Sequence, residues 1–208
     1  MIKLYGVKPS NYYSLGKAIL LEKGLEFEEV ANPPSQEEDF LQKSPMGKMP
    51  AIEIDGTYLS ESLAIAAYAD RLQPEPPLLP ADPLAAAKVI ELVCHLKLDV
   101  ELVARRCLPA AFFGQTASDE TLESTKKDLE KGMKAVARLF KGDPYAAGSE
   151  LTLADFYTFY TFGLSSGVAK AIFDIDLLEG YPQIAGVMSR MAEHPSIARV
   201  EAEKASGK

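Results

Sequence analysis

The sequence predicts a chain in two parts of different class, an α/β part of βαβ-ββα order followed by an all-helical part. Three observations carry this. Short apolar segments alternate with helical patterns up to residue 72, five prolines crowd Gln73–Pro83, and only helical periodicity follows. The expected boundaries are residues 1–76 for the first domain and 84–208 for the second.

Ile2–Tyr5 reads as a short buried strand, Gly6–Asn11 as a loop, and Leu15–Lys23 as a helix with Gly24 just past its end. Phe27–Val30 reads as a second strand. Asn32-Pro33-Pro34-Ser35 breaks the chain before a short helix at Glu37–Gln42. Ala51–Ile54 and Thr57–Leu59 flank Asp55-Gly56, a dipeptide suited to the positive φ angles of a type I′ hairpin turn. A helix over Ser62–Leu72 closes the first domain.

Beyond the prolines, helices are expected over Leu84–Leu108, Asp119–Phe140, Thr152–Gly163, Pro182–Glu193 and Pro195–Glu203. The first carries too wide an apolar arc for a surface helix. Leu153, Phe156, Tyr157, Phe159, Tyr160 and Phe162 make the third apolar nearly all round, so it should be the buried helix of its domain. Thr152-Leu153-Ala154-Asp155 places a cap residue before a carboxylate three positions on, a capping box with Asp for Glu, and folding is the expected role of Asp155.

Composition limits the function. Hydrophobic residues make up 47% and charged residues 25%, a globular balance. The net charge of −8 is spread over both parts and argues against nucleic acid or anionic lipid as the main partner. No apolar run is long enough for a membrane span and the N-terminus lacks a signal-peptide core, so a cytoplasmic location is expected. Cys94 and Cys107 are the only cysteines and neither has a neighbour at metal-ligand spacing; no metal is expected.

Three features of the first part could carry chemistry. Met49-Pro50 precedes the Ala51–Ile54 strand, and a cis bond there would turn the Met49 backbone outward to pair with an extended peptide. Glu61-Ser62 lies where a helix begins, offering a hydroxyl and helix N–H groups to a carboxylate; read alone it is simply a cap. Ser10-Asn11-Tyr12-Tyr13 brings hydroxyls to the loop before the first helix.

In order and spacing these segments resemble the cytosolic glutathione transferase superfamily. Lys3-Leu4-Tyr5-Gly6, Ser10-Asn11-Tyr12-Tyr13, Leu20-Leu21-Glu22-Lys23-Gly24, Ser44-Pro45-Met46-Gly47-Lys48-Met49-Pro50-Ala51 and Glu61-Ser62 carry the likeness in the first part. Leu153-Ala154-Asp155, Tyr181-Pro182 and His194-Pro195-Ser196 extend it through the second. The resemblance implies a thioredoxin-like domain that binds glutathione as co-substrate, a helical bundle domain that supplies the second-substrate pocket, and a homodimer. It implies that Glu61 and Ser62 hold the γ-glutamyl end, that Met49 ahead of Pro50 pairs with the cysteinyl backbone, and that Lys48 reaches a carboxylate.

The catalytic hydroxyl is Ser10 or Tyr12. Ser10 falls where serine-type classes such as theta carry it, whereas aligning on Lys8-Pro9 resembles the beta class and puts Tyr12 where that class has a cysteine. With no cysteine near the first helix, mixed-disulfide chemistry is not supported. A free thiol has a pKa of about 8.5, and lowering it by about two units takes roughly 2.7 kcal/mol, which one hydroxyl hydrogen bond and a helix N-terminus can supply. The expected reaction is attack of the glutathione sulfur on a small hydrophobic electrophile. The alternatives are a glutathione-dependent reductase or isomerase, and a non-catalytic interaction module of the same fold. Arg105, Arg106, Phe112 and Phe113 are weaker candidates for contact with an anionic or aromatic substrate.

Overall fold

A computed structural model of the chain describes residues 1–206. The chain divides into two compact units, one made of Met1–Leu78 with the C-terminal segment from Glu193, the other of Leu79–Ala192.

In the first unit the elements are β1 (Ile2–Gly6), α1 (Asn11–Glu22), β2 (Phe27–Ala31), α2 (Glu38–Leu41), β3 (Ala51–Ile54), β4 (Thr57–Ser60) and α3 (Ser62–Leu72). The strands form one sheet in the order β2-β1-β3-β4. β1 and β2 run parallel across the α1 crossover, while β3 is antiparallel to both β1 and β4. This is the thioredoxin-like arrangement expected. Asp55 and Gly56 both take positive φ, 49° and 81°, as the type I′ turn demands.

The sheet alternates as its pleat requires. Ile2, Leu4 and Ile52 are buried with Leu15, Ala18 and Ile19 of α1 and Ile65, Ala66 and Ala69 of α3. Lys3 and Tyr5 point the other way onto Glu53, Lys3 at 3.2 Å and Tyr5 through its hydroxyl. Burial and that acceptor push the Tyr5 hydroxyl far above its normal range, so it remains a neutral donor.

α1 begins four residues earlier than expected, because Ser10 caps it and the polar turn Asn11–Ser14 is already helical. The proline-rich stretch is also less of a free linker than its composition suggests. Asp70 accepts the Leu78 N–H at 2.8 Å and the Lys23 ammonium at 2.8 Å, and Lys23 also donates to the Pro76 carbonyl. Leu78 is fully buried.

The helix α10 (Pro195–Ala205), read from sequence with the helical part, makes its contacts with α1. Lys17 of α1 is buried and donates to Glu29 of β2 at 2.6 Å and to Glu203 of α10. Arg199 holds the other oxygen of Glu203 at 2.9 Å. Desolvation pushes the Glu29 carboxyl up, but the bonds from Lys17 and Tyr13 outweigh it and hold it below the usual carboxylate range. Glu203 is likewise held low, chiefly by Lys17.

The second unit holds α4 (Pro83–Cys94), α5 (Leu102–Ala104), α6 (Leu108–Phe112), α7 (Asp119–Leu139), α8 (Leu153–Phe173) and α9 (Pro182–Ala192). The single helix expected over 84–108 is interrupted: α4 runs into a π-helical stretch, His95–Glu101, and a 3₁₀ turn at Arg105–Cys107 separates α5 from α6. α7 explains the interruption. Its Gly132 lies so close that an added Cβ would sit 2.1 Å from the Asp99 carbonyl oxygen, and α7 packs along the π stretch.

α8 is the central helix, with Phe156, Tyr157 and Phe162 fully buried, as its composition predicts. It runs ten residues beyond the expected end at Gly163 and stops at Asp174 in the left-handed region. The capping box forms: Asp155 accepts the Thr152 N–H at 2.8 Å and its hydroxyl at 3.1 Å, and the Ala146 N–H at 2.7 Å. Among the described residues, no helix is long and apolar enough to cross a membrane.

Candidate functional site

The sheet register brings together residues that are far apart in sequence. Ala51 pairs with Tyr5 on one side and Ser60 on the other. One step further along, Gly6 at the end of β1, Pro50 just before β3 and Glu61 just after β4 therefore lie at one end of the sheet. Ser10, Met49-Pro50 and Glu61-Ser62 all sit on the segments that leave or enter there.

Ser10 is half-buried at the N-cap of α1, its φ and ψ extended at −76° and 122°. Its Oγ accepts the Tyr13 N–H at 3.3 Å. Because the cap uses only an oxygen lone pair, the hydroxyl proton remains available to an incoming acceptor. Tyr12 is the first-turn residue two positions on, and its hydroxyl oxygen is buried from solvent.

Tyr13, quoted in the sequence motif but given no role, supports this turn. Its ring occupies the space a Gly6 side chain would need: a Cβ there would lie 2.4 Å from Tyr13 Cδ2. Its hydroxyl donates to Glu29, and burial followed by that bond pushes the phenol far above its normal pKa. Tyr13 is thus a fixed donor rather than an acid or base. Ser14 closes the loop by donating its hydroxyl to the Lys8 carbonyl at 3.4 Å.

The Met49–Pro50 peptide is cis, as expected; Glu75–Pro76 and Asp143–Pro144 are cis as well. Pro50 is buried and packs toward α1, where a Cβ on Gly16 would touch its ring at 3.4 Å. Met49 reaches back to the Ser10 loop, its sulfur 3.3 Å from the Val7 N–H. Lys48 is exposed, with its N–H on the Ser44 hydroxyl at 3.3 Å. The turn before it needs glycine: Gly47 has φ 63°, and a Cβ would meet the Ser35 carbonyl at 2.3 Å.

Glu61 precedes α3 with φ 70° and ψ 119°, a conformation that costs a non-glycine residue about 1–3 kcal/mol. Such strain survives only where neighbouring structure enforces it, here the end of β4 and the start of α3. Ser62 begins α3 and is buried, so its backbone N–H belongs to the first turn, which has no carbonyl partners within the helix. Two helix N-termini, those of α1 and α3, thus begin at the same end of the sheet.

The weaker candidates fare differently. Arg105 is committed to the buried Glu101 at 2.8 and 2.9 Å, and Arg106 to Asp128 at 2.6 Å, so both charges are already matched within their own unit. Phe112 and Phe113 are exposed, at 54% and 70%.

Comparison with known proteins bears on the same segments. Residues 4–77 match the family model "Glutathione S-transferase, N-terminal domain" and residues 105–204 match "Glutathione S-transferase, C-terminal domain". A glutathione S-transferase of Pseudomonas putida is 40% identical over 204 residues, covering 98% of this chain and 93% of the relative. A maleylacetoacetate isomerase of Rattus norvegicus is 29% identical over 156 residues, covering 72% of this chain and 66% of that protein. Among solved structures, a glutathione S-transferase of Methylobacterium radiotolerans in complex with glutathione sulfonate aligns with a TM-score of 0.74 at 26% identity, covering 96% of this chain and 93% of that one. With both family domains matched in order and a relative at 40% identity along nearly the whole length, the chain belongs to the glutathione S-transferase family.

Proposed function

We propose that the chain is a glutathione transferase that binds glutathione at the end of the sheet described above and activates its sulfur for attack on a small electrophile. The observation that carries this is the register that pairs Tyr5, Ala51 and Ser60 and so sets the adjoining Gly6, Pro50 and Glu61 at one end of the sheet, where three segments of suitable chemistry begin. In this reading Glu61 and Ser62, at the start of α3, hold the γ-glutamyl carboxylate and amine. Met49 pairs in strand fashion with the cysteinyl backbone, the cis Pro50 fixes that segment, and Lys48 meets a carboxylate.

Ser10 is the preferred catalytic residue. Its oxygen caps α1 while its proton donates to the sulfur, and the α1 N-terminus adds a favourable field; together they stabilise the thiolate over the thiol. The thiol proton is released to solvent, and the thiolate sulfur then attacks the electrophilic carbon, forming a carbon–sulfur bond as the leaving group departs with its electron pair. The burial of the Tyr12 hydroxyl oxygen favours Ser10 over Tyr12. A homodimer in the cytoplasm completes the proposal.

A glutathione-dependent isomerase is the second reading, favoured by the maleylacetoacetate isomerase relative. There the thiolate adds reversibly to a cis double bond, rotation follows, and the sulfur is expelled unchanged. Assays with aryl halides, epoxides, organic hydroperoxides and maleylacetoacetate separate the two: glutathione is consumed in transfer and regenerated in isomerisation. Ser10→Ala should lower turnover by roughly 10²-fold while glutathione remains bound, and Tyr12→Phe by much less. Full activity in Ser10→Ala together with its loss in Tyr12→Phe would reverse the assignment. Failure to bind millimolar glutathione would sink both enzyme readings.

A further inference from the structure

Lys17 is unusual for a residue on a helix so close to a catalytic loop. Its side chain is 3% exposed, so its charge is balanced not by water but by two carboxylates from elements remote in sequence, Glu29 of β2 and Glu203 of α10. Each of these carboxylates is held by a further group: Tyr13 donates to Glu29, and Arg199 donates to Glu203 at 2.9 Å. Two cations face two anions, and the cluster is neutral as a whole.

Followed outward, the cluster reaches the catalytic loop without a gap. Tyr13 lies under Gly6, donates its hydroxyl to Glu29 and donates its backbone N–H to Ser10 Oγ at 3.3 Å. The path therefore runs Ser10, Tyr13, Glu29, Lys17, Glu203, Arg199. Lys17 is seven positions from Ser10 on α1, about 10 Å along the axis, close enough for its tether to govern the pose of the first two turns. A side chain in α10, near the C-terminal end of the chain, is thus linked by hydrogen bonds to a hydroxyl ten residues from the N-terminus.

We infer that Glu203 and Lys17 are positioning residues for Ser10: α10 locks the first turns of α1 through the buried ammonium and so fixes where the Ser10 hydroxyl points. The inference rests on the proposed role of Ser10 as thiolate donor. The reason is geometric. A hydrogen bond to a thiolate is strong only when well aimed, and the Lys17 tether bears, through Glu29, on the same Tyr13 whose N–H meets Ser10 Oγ. Without Glu203, Lys17 keeps only Glu29, and it must either draw toward solvent or drag Glu29 from Tyr13.

The test compares Glu203→Gln and Lys17→Met with a control, Ile197→Val, which trims the fully buried Ile197 of the same helix without touching the charged chain. The readout is the pKa of enzyme-bound glutathione, followed by ultraviolet thiolate absorbance, together with kcat and KM at neutral pH. Glu203→Gln and Lys17→Met should raise the bound thiol pKa by about half a unit or more and lower kcat roughly three- to tenfold, with KM for glutathione little changed. Ile197→Val should lower the melting temperature yet keep the wild-type thiol pKa. Lys17→Met replaces a buried charge with an apolar chain of similar length, so it remains informative even if Glu203→Gln proves poorly folded.

The inference is overturned if both charge variants keep the wild-type thiol pKa, or if Ile197→Val shifts it equally, which would make α10 a general stabiliser only. A wild-type protein that binds glutathione with no thiolate signal at all would instead remove the proposed function, and this inference with it.

Discussion

Replacing Asp155 should cost the helical unit substantial stability, and Asn should rescue little of the loss. The carboxylate is fully buried and accepts three hydrogen bonds, from the N–H groups of Ala146 and Thr152 at 2.7 and 2.8 Å and the Thr152 hydroxyl at 3.1 Å. Asp155→Ala leaves two buried backbone donors without an acceptor, at about 1–3 kcal/mol each. Relief of carboxylate burial, which raises the Asp155 pKa against those bonds, offsets part of this. The net loss should be about 3 kcal/mol, a fall in melting temperature of roughly 6–12 °C for a chain of this size. Asp155→Asn keeps one oxygen but turns an NH₂ group toward N–H or O–H donors on the other side, so it should resemble Ala. Circular dichroism melts of the three proteins measure this. An Asn variant within about 0.5 kcal/mol of wild type would show that the two-sided acceptor geometry does not govern stability here.

Other outcomes follow from the same geometry. Gly132→Ala should destabilise by about 1–3 kcal/mol, although alanine normally gains about 1 kcal/mol over glycine inside a helix, because its Cβ would meet the Asp99 carbonyl at 2.1 Å; urea midpoints decide the sign. Gly6→Ala should displace the Tyr13 ring 2.4 Å from the new Cβ, with a loss of about 1–3 kcal/mol and weaker glutathione turnover, read by paired stability and activity assays. Glu29 and Glu203 have folded pKa values below the ordinary 4.5, so the stability they contribute is full above that value and is lost as pH falls from there through the lowered folded values. A plot of urea midpoint against pH should show this acid limb in wild type and a shallower one in Glu203→Gln.

Much of the first unit is legible in the sequence because its signals are local. The Asp55-Gly56 turn, the apolar alternation of β1 and β3, and Gly24 after α1 each act within a few residues. The start of α1 is not read from apolar spacing because its first turn, Asn11 to Ser14, is polar; the signal that marks it is the cap, Ser10. The end of α8 is misread for a related reason. Gly163 is the expected end, yet tertiary packing of a buried helix overrides its low propensity.

What the sequence hides is whatever depends on a partner element. The π stretch at His95–Glu101 exists beside Gly132, thirty-odd residues away, and no local pattern announces it. Nothing local to Lys17 shows that it is buried; its partners, Glu29 and Glu203, come from elsewhere in the chain. Arg105 and Arg106, weak candidates in the sequence, pair with Glu101 and Asp128 in the fold. The candidate site itself lies between these extremes. Its residues stand out as motifs, while the reason they act together is the sheet.

That sheet makes the small hairpin at Asp55-Gly56 a measuring device. Met49-Pro50 and Glu61-Ser62 flank opposite arms of the hairpin, and the register the turn sets decides which residues of those arms face each other across it. A turn that slid β4 past β3 by one position would reverse which of its side chains face the helices and change which residue follows opposite Pro50. No residue of the candidate site would have changed, yet the span available to a bound peptide would have. The register this turn sets, remote from the candidate residues, therefore shapes their spacing as much as their identities do.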